Sequence, residues 1–262
     1  VAVGTSPLAV AINPVTNKIY VANSGSSNVT VIDGTNNSTT TVAAGTNPRA
    51  VAVNPVTNKI YVANEGSSNV TVIDGSNNST TTVAADTAPV AVVVNPVTNK
   101  IYVANFSSAN VTVIDGTNNS TTTVAADTNP RAVAVNSVTN KIYVANQSSA
   151  NVTVIDGTNN STTTVATGSG PNAVAVNVST NKIYVTINSI DLVTVIDGTN
   201  NSTTNVAVNL APMAVAVNMI TNKVYVATCC GGQNLSIITP APTNAIPLNT
   251  AITPLPGNTA TM

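Results

Sequence analysis

The stretch Asn17-Lys18-Ile19-Tyr20 returns with its lysine at Lys59, Lys100, Lys141, Lys182 and Lys223, in steps of 41 residues. A proline keeps the same period at Pro7, Pro48, Pro89, Pro130, Pro171 and Pro212. Self-similarity at this spacing decides the architecture before any local reading does. It also narrows the search for function. A residue that every copy carries is explained by the repeat, so specific chemistry must sit where the copies differ.

One copy reads as four strands. Ala50-Val51-Ala52-Val53 is small and β-branched, and Asn54-Pro55-Val56-Thr57-Asn58 is turn chemistry. Lys59-Ile60-Tyr61-Val62-Ala63 and Val70-Thr71-Val72-Ile73 follow, separated by a loop rich in Gly and Ser. Asp74-Gly75-Ser76-Asn77-Asn78 turns into Ser79-Thr80-Thr81-Thr82-Val83. Short β-branched runs bounded by Gly, Pro, Asn and Asp are strands and turns. No apolar period of 3.6 is present. Four strands in about 40 residues is the pattern of a propeller blade. The polarity gradient agrees: a small inner strand, apolar middle strands buried on both faces, and a wet outer Thr strand. A β-solenoid is the structural alternative. The expected fold is all-β, a propeller of six 41-residue blades over residues 1–248, with a Pro- and Thr-rich tail over 249–262.

Composition excludes some functions. Charged residues are 6% of the chain and the net charge is -1. A typical soluble domain carries about 25% charged residues. Nucleic acid needs a basic footprint that is missing here. No run approaches the roughly 20 apolar residues of a membrane span. A surface made polar by Thr, Asn and Ser suits an extracellular or cell-envelope protein. No leader is visible and the chain begins on Val1, as expected of a processed or trimmed piece. Histidine is absent, which removes the commonest catalytic base and metal ligand. No metal site and no cofactor are expected.

Hairpin register places most of the charge. If Asn23 faces Asn28, then Lys18 faces Asp33, and the pairing repeats as Lys59 with Asp74, Lys100 with Asp115, Lys141 with Asp156 and Lys182 with Asp197. Opposite charges then meet across adjacent strands. Exposed pairs of this kind stabilise by about 0.2–1 kcal/mol each, so they fix register more than they add stability. In the sixth copy Thr239 stands in place of the aspartate.

The motifs Lys-Ile-Tyr-Val-Ala-Asn and Val-Ile-Asp-Gly resemble the YVTN family of β-propeller repeats, from Val1 to about Leu248. The resemblance implies surface-layer or secreted envelope proteins with adhesive or structural roles. Wider relatives include lactonase-like and lyase propellers, but the lyases rely on a histidine that this chain lacks. Family propellers often have seven blades, and six copies are present. The chain is therefore either a closed six-bladed ring or part of a larger one, such as a seven-bladed ring. In the closed ring Val1 to Val3 would lie on the last blade.

Subtracting the repeat leaves Arg49, Arg131, Glu65, Asp86, Asp127, Asp191 and the only phenylalanine, Phe106. Arg49 and Arg131 follow the repeat proline, and Asp86 and Asp127 precede it. Glu65, Phe106 and Asp191 belong to the loop between second and third strands. In an up-and-down blade both loop classes emerge on one face. Arg49, Glu65, Asp86, Phe106, Asp127 and Arg131 are thus candidates for a ligand-binding face: Arg clamps carboxylate or sulfate, and Phe106 stacks on a sugar or side chain. The competing reading is loop drift, because nothing packs there. Asp86 and Asp127 alone supply too few oxygens for Ca²⁺. Cys229 and Cys230 form either a vicinal disulfide in an oxidising compartment or two unrelated thiols.

The expected function is a non-catalytic, extracellular or cell-surface adhesion or ligand-binding module, with a protein or glycan as partner. The alternatives are a self-associating building block of a surface layer or fibre, and a lactonase-like or lyase-like enzyme.

Overall fold

The computed structural model describes residues 1–229 and 235–239. It is a β-propeller. Five sheets have four antiparallel strands in chain order, and the last has three among the described residues. The first blade runs Pro7–Asn13, Lys18–Asn23, Asn28–Asp33 and Thr39–Ala43 from the channel outward. The last comprises Pro212–Val217, Val224–Thr228 and Leu235–Ile238. The tail over 249–262, and Cys230, the second cysteine of the candidate vicinal disulfide, lie outside the described residues.

Each blade has two apolar faces, and one interface is used five times. In the first blade Ala9, Ala11, Tyr20, Ala22, Val29, Val31 and Val42 share the trailing face through direct pairings such as Ala11 with Tyr20 and Tyr20 with Val31. That face packs on the leading face of the second blade, formed by Val51, Val53, Ile60, Val62 and Ile73. The same sets meet between every later pair of neighbours. Middle strands are therefore apolar on both faces, and the outer Thr strands lie exposed.

Two belts of polar contacts, neither visible within one repeat, join the blades at one end. Asn13 donates from Nδ2 to Asn58 Oδ1 of the next blade at 2.9 Å, and Asn54, Asn95, Asn136 and Asn177 do likewise toward Asn99, Asn140, Asn181 and Asn222. Each accepting asparagine sits in the left-handed region, with φ between 51° and 55°. Asparagine tolerates that conformation better than most residues. The glycine of Val-Ile-Asp-Gly closes on it: a Cβ on Gly116 would lie 2.8 Å from the Asn99 carbonyl oxygen.

The lysines form the second belt. All five stand opposite their aspartates in the register read from the sequence. Ion pairs close at Lys100–Asp115 (2.6 Å) and Lys182–Asp197 (2.7 Å). There the lysine hydrogen bond, helped by the Thr117 and Thr199 backbone N–H groups, holds the carboxyl at about 2. Lys18, Lys59 and Lys141 instead donate to the carbonyls of Gly75, Gly116 and Gly198 on the next blade. There the lysine links blades as well as fixing register.

Tyr61, Tyr102 and Tyr143 are fully buried in the interfaces. Burial, then the aspartate of the next blade, pushes each phenol up to about 12. Tyr102 borders a polar cavity of about 140 Å³ that also includes Lys100, Asp115, Thr158 and Asn160. An unfolded tyrosine ionises near 10. The raised folded values contribute stability that is complete below about pH 10 and is lost as pH rises through about 12. Tyrosinate absorbance from these three should therefore appear only near pH 12, together with loss of β-sheet circular dichroism. A full transition at pH 10 with the sheet signal intact would contradict this burial.

Among the described residues the ring is open between the last blade and the first. Leu8, Val10 and Ile12 are 57%, 63% and 61% exposed, whereas Val94 and Val176 on the leading faces of blades three and five are each 7% exposed. On the last blade Tyr225 is only half-buried, and Leu235 and Ile237 are 56% and 54% exposed. Val1 to Val3 form no strand and lie exposed rather than joining the last blade. The described residues thus do not form the closed six-bladed arrangement.

Candidate functional site at the channel mouth

Every inner strand begins with a bulge. Pro48 pairs with Asn64 and Ala50 with Ala63, which leaves Arg49 as the extra residue. The same irregularity recurs in the other five blades. A bulge re-aims the side chain it displaces. Here the displaced residues are Leu8, Arg49, Val90, Arg131, Asn172 and Met213, and together they line a recess of about 380 Å³. The repeat thus builds one ring of six positions and fills it with five residue types.

The scaffold beneath is rigid. The loop between second and third strands is tied to the connector that enters the inner strand by Glu65 N–H to Asn47 O (3.0 Å), Phe106 N–H to Ala88 O (2.8 Å) and Gln147 N–H to Asn129 O (2.9 Å). Asn47, Ala88 and Asn129 all adopt left-handed backbone. A buried asparagine staples the same loop in four blades: Asn64 Nδ2 donates to Asn69 Oδ1 at 2.8 Å and to Thr71 Oγ1 at 2.9 Å. Asn23, Asn105 and Asn146 repeat it.

The charges are unequally satisfied. Arg49 Nη1 donates to Glu65 Oε2 at 2.8 Å, which joins the two loop classes. Arg131 pairs with no carboxylate among the described residues; its Nε donates to Asn172 Oδ1 at 2.7 Å. Asn172 is buried at 7% exposure and anchored in turn by Nδ2 donating to the Met213 carbonyl at 2.7 Å. Three consecutive bulge residues therefore form one chain of contacts around the mouth.

The other candidates do not converge there. Asp86 accepts from Asn110 Nδ2 at 2.9 Å and borders a shallow recess with Thr112, Thr121 and Thr123. Asp127 does the same with Asn151 at 2.8 Å beside Thr153, Thr162 and Thr164. The two aspartates serve separate blades. No group of three metal-ligating side chains occurs among the described residues. Phe106 is half-buried on its loop, and its carbonyl accepts from Asn129. Asp191 Oδ1 accepts from Ala211 N–H at 2.7 Å. The exposed Cys229 uses its N–H on Ala211 O. Leu8, Val90, Asn172 and Met213 carry no charge and so do not stand out by residue type. Their signal was different: the position after the repeat proline varies in nearly every copy.

No protein-family model and no curated protein sequence matches the chain. Solved structures do. A chain of Kuenenia stuttgartiensis hydrazine synthase superposes with a TM-score of 0.60 at 16% identity, covering 92% of this chain and 98% of that one. A chain of a nidogen/laminin complex gives 0.63 at 11% identity, covering 80% and 84%. Among the described residues no helix is long and apolar enough to cross a membrane. At these identities the likeness is one of fold, and the fold is that of a β-propeller.

Proposed function

We propose that this propeller is a non-catalytic extracellular or cell-surface module that holds a protein or glycan partner through its loop face, at the mouth of the channel. The observation that carries this is the bulge ring. The copies keep the same strands and turns, yet the six side chains turned into the mouth are Leu, Arg, Val, Arg, Asn and Met. Varied residues on a rigid scaffold are the usual form of a binding surface. The absence of histidine, and the tie between Arg49 and Glu65, favour binding over catalysis. One structural neighbour comes from a protein–protein complex, which accords with the reading.

The open faces on the first and last blades favour a second reading, a building block that assembles through blade-on-blade contacts. The experiment is to probe immobilised proteins and glycans with labelled residues 1–262, alongside light scattering and a lactone-hydrolysis assay. Saturable capture of one ligand class by a monomer, without turnover, is expected. Ordered polymers that capture nothing would favour the building block, and turnover would overturn both readings.

A further inference from the structure

We propose that the channel mouth is a carboxylate site, in which Arg131 anchors an acidic residue of a partner protein while Leu8, Val90 and Met213 receive the aliphatic side chain beside it. This rests on the loop-face reading and names its ligand chemistry.

Charge balance is the first argument. Arg49 is neutralised by Glu65 at 2.8 Å, and Arg131 has no carboxylate partner among the described residues. The two arginines and one glutamate leave one positive charge at the mouth, which suits a monoanion. Geometry is the second. Asn172 takes the Nε–H of Arg131 at 2.7 Å, and the two Nη groups remain for an end-on, two-pronged hydrogen bond to a carboxylate. Asn172 is itself buried and fixed to the Met213 carbonyl, so the guanidinium is held before the ligand arrives and less entropy is lost on binding. Arg131 is half-buried, and a partly desolvated charge attracts an anion more strongly than one in bulk water.

The apolar lining decides between ligand classes. It is aliphatic: Leu8, Val90 and Met213 share the recess with Arg49, Arg131 and Asn172. Phe106 does not line it. A sugar acid would want an aromatic face to stack on, whereas an acidic residue beside Leu, Val or Ile matches this lining. The recess of about 380 Å³ lies near the small end of ligand pockets, enough for one or two side chains.

The test is a titration of ¹⁵N-labelled residues 1–262 with N-acetyl-leucine, N-acetyl-leucinamide and glucuronate, following the Arg131 Nε–H and Asn172 amide signals. N-acetyl-leucine should shift both signals with a Kd in the low millimolar range, and the uncharged amide should bind at least about tenfold more weakly. Arg131→Gln should weaken N-acetyl-leucine about tenfold with other signals in place, and Arg131→Lys should fall between. Equal binding of the amide, tighter binding of glucuronate, or indifference to Arg131→Gln would overturn the proposal. If Arg131→Gln still captures its partner from the panel as wild type does, the carboxylate site fails and the binding module stands. If N-acetyl-leucine binds as stated but the panel yields no partner, the site stands and the module reading fails.

Discussion

A variant with residues 87–127 duplicated in place, so that the ring has seven repeats, should melt at least about 10 °C above the six-repeat chain. It should also bind less of a hydrophobic dye. Each of the five internal interfaces buries a trailing face against a leading one. One face of each kind is left over. Leu8, Val10 and Ile12 are more than half exposed on one side of the gap, as are Leu235 and Ile237 on the other. Fully burying an aliphatic side chain is worth about 1.5–3 kcal/mol, so covering most of this surface amounts to several kcal/mol. Exposed apolar faces of this size also favour association. An unchanged melting temperature with undiminished dye binding would show that the gap does not accept a blade.

The second large effect concerns the asparagine belt. Asn95→Ala should cost about 2–4 kcal/mol, because it strands two partners at once. Asn95 is fully buried, donates to Asn140 Oδ1 at 2.9 Å, and accepts from the Val97 N–H at 3.1 Å. Its counterpart Asn218 is exposed and caps only its own turn, accepting from Ile220 and Thr221. Asn218→Ala should therefore cost only about 1 kcal/mol, like the loss of an ordinary cap. Chemical denaturation of both variants isolates the inter-blade bond as their difference. Equal losses would mean that the belt adds nothing beyond turn capping.

Much of this architecture was legible in the chain, and the limits have physical causes. Strand order and register follow from local chemistry. Lys59 stands opposite Asp74 because the loop between Asn64 and Asn69 leaves only one pairing that keeps Ile60, Tyr61 and Val62 on their proper faces. Contacts between blades were not legible. Nothing in Asn54-Pro55-Val56-Thr57-Asn58 says that Asn54 reaches Asn99, 45 residues away. The lysines look like simple ion-pair partners until the next blade's glycine carbonyl is placed beside them. Ring closure was equally hidden, because the first blade carries the same strand and turn pattern as an internal one.

At the site, the loops of Arg49, Glu65 and Phe106 fall on one face, as strand connectivity dictates. The bulge was invisible, since it depends on how Pro48 and Ala50 pair with successive partners. It is the bulge that turns Arg49 and Arg131 inward, whereas Asp86 and Asp127 turn to the asparagines of their own blades.

The most direct measurement compares wild type with a variant in which the mouth and its loops revert to residues other copies carry: Arg49→Val, Arg131→Val, Glu65→Ser and Phe106→Ser. Both would be probed against the same immobilised protein and glycan panel, after their melting curves are shown to coincide within about 5 °C. None of the four residues lies in the buried core, and surface changes shift stability little. The variant should keep its fold and lose capture at least tenfold. Undiminished capture by a folded variant would contradict the claim that function resides where this chain departs from its own repeat.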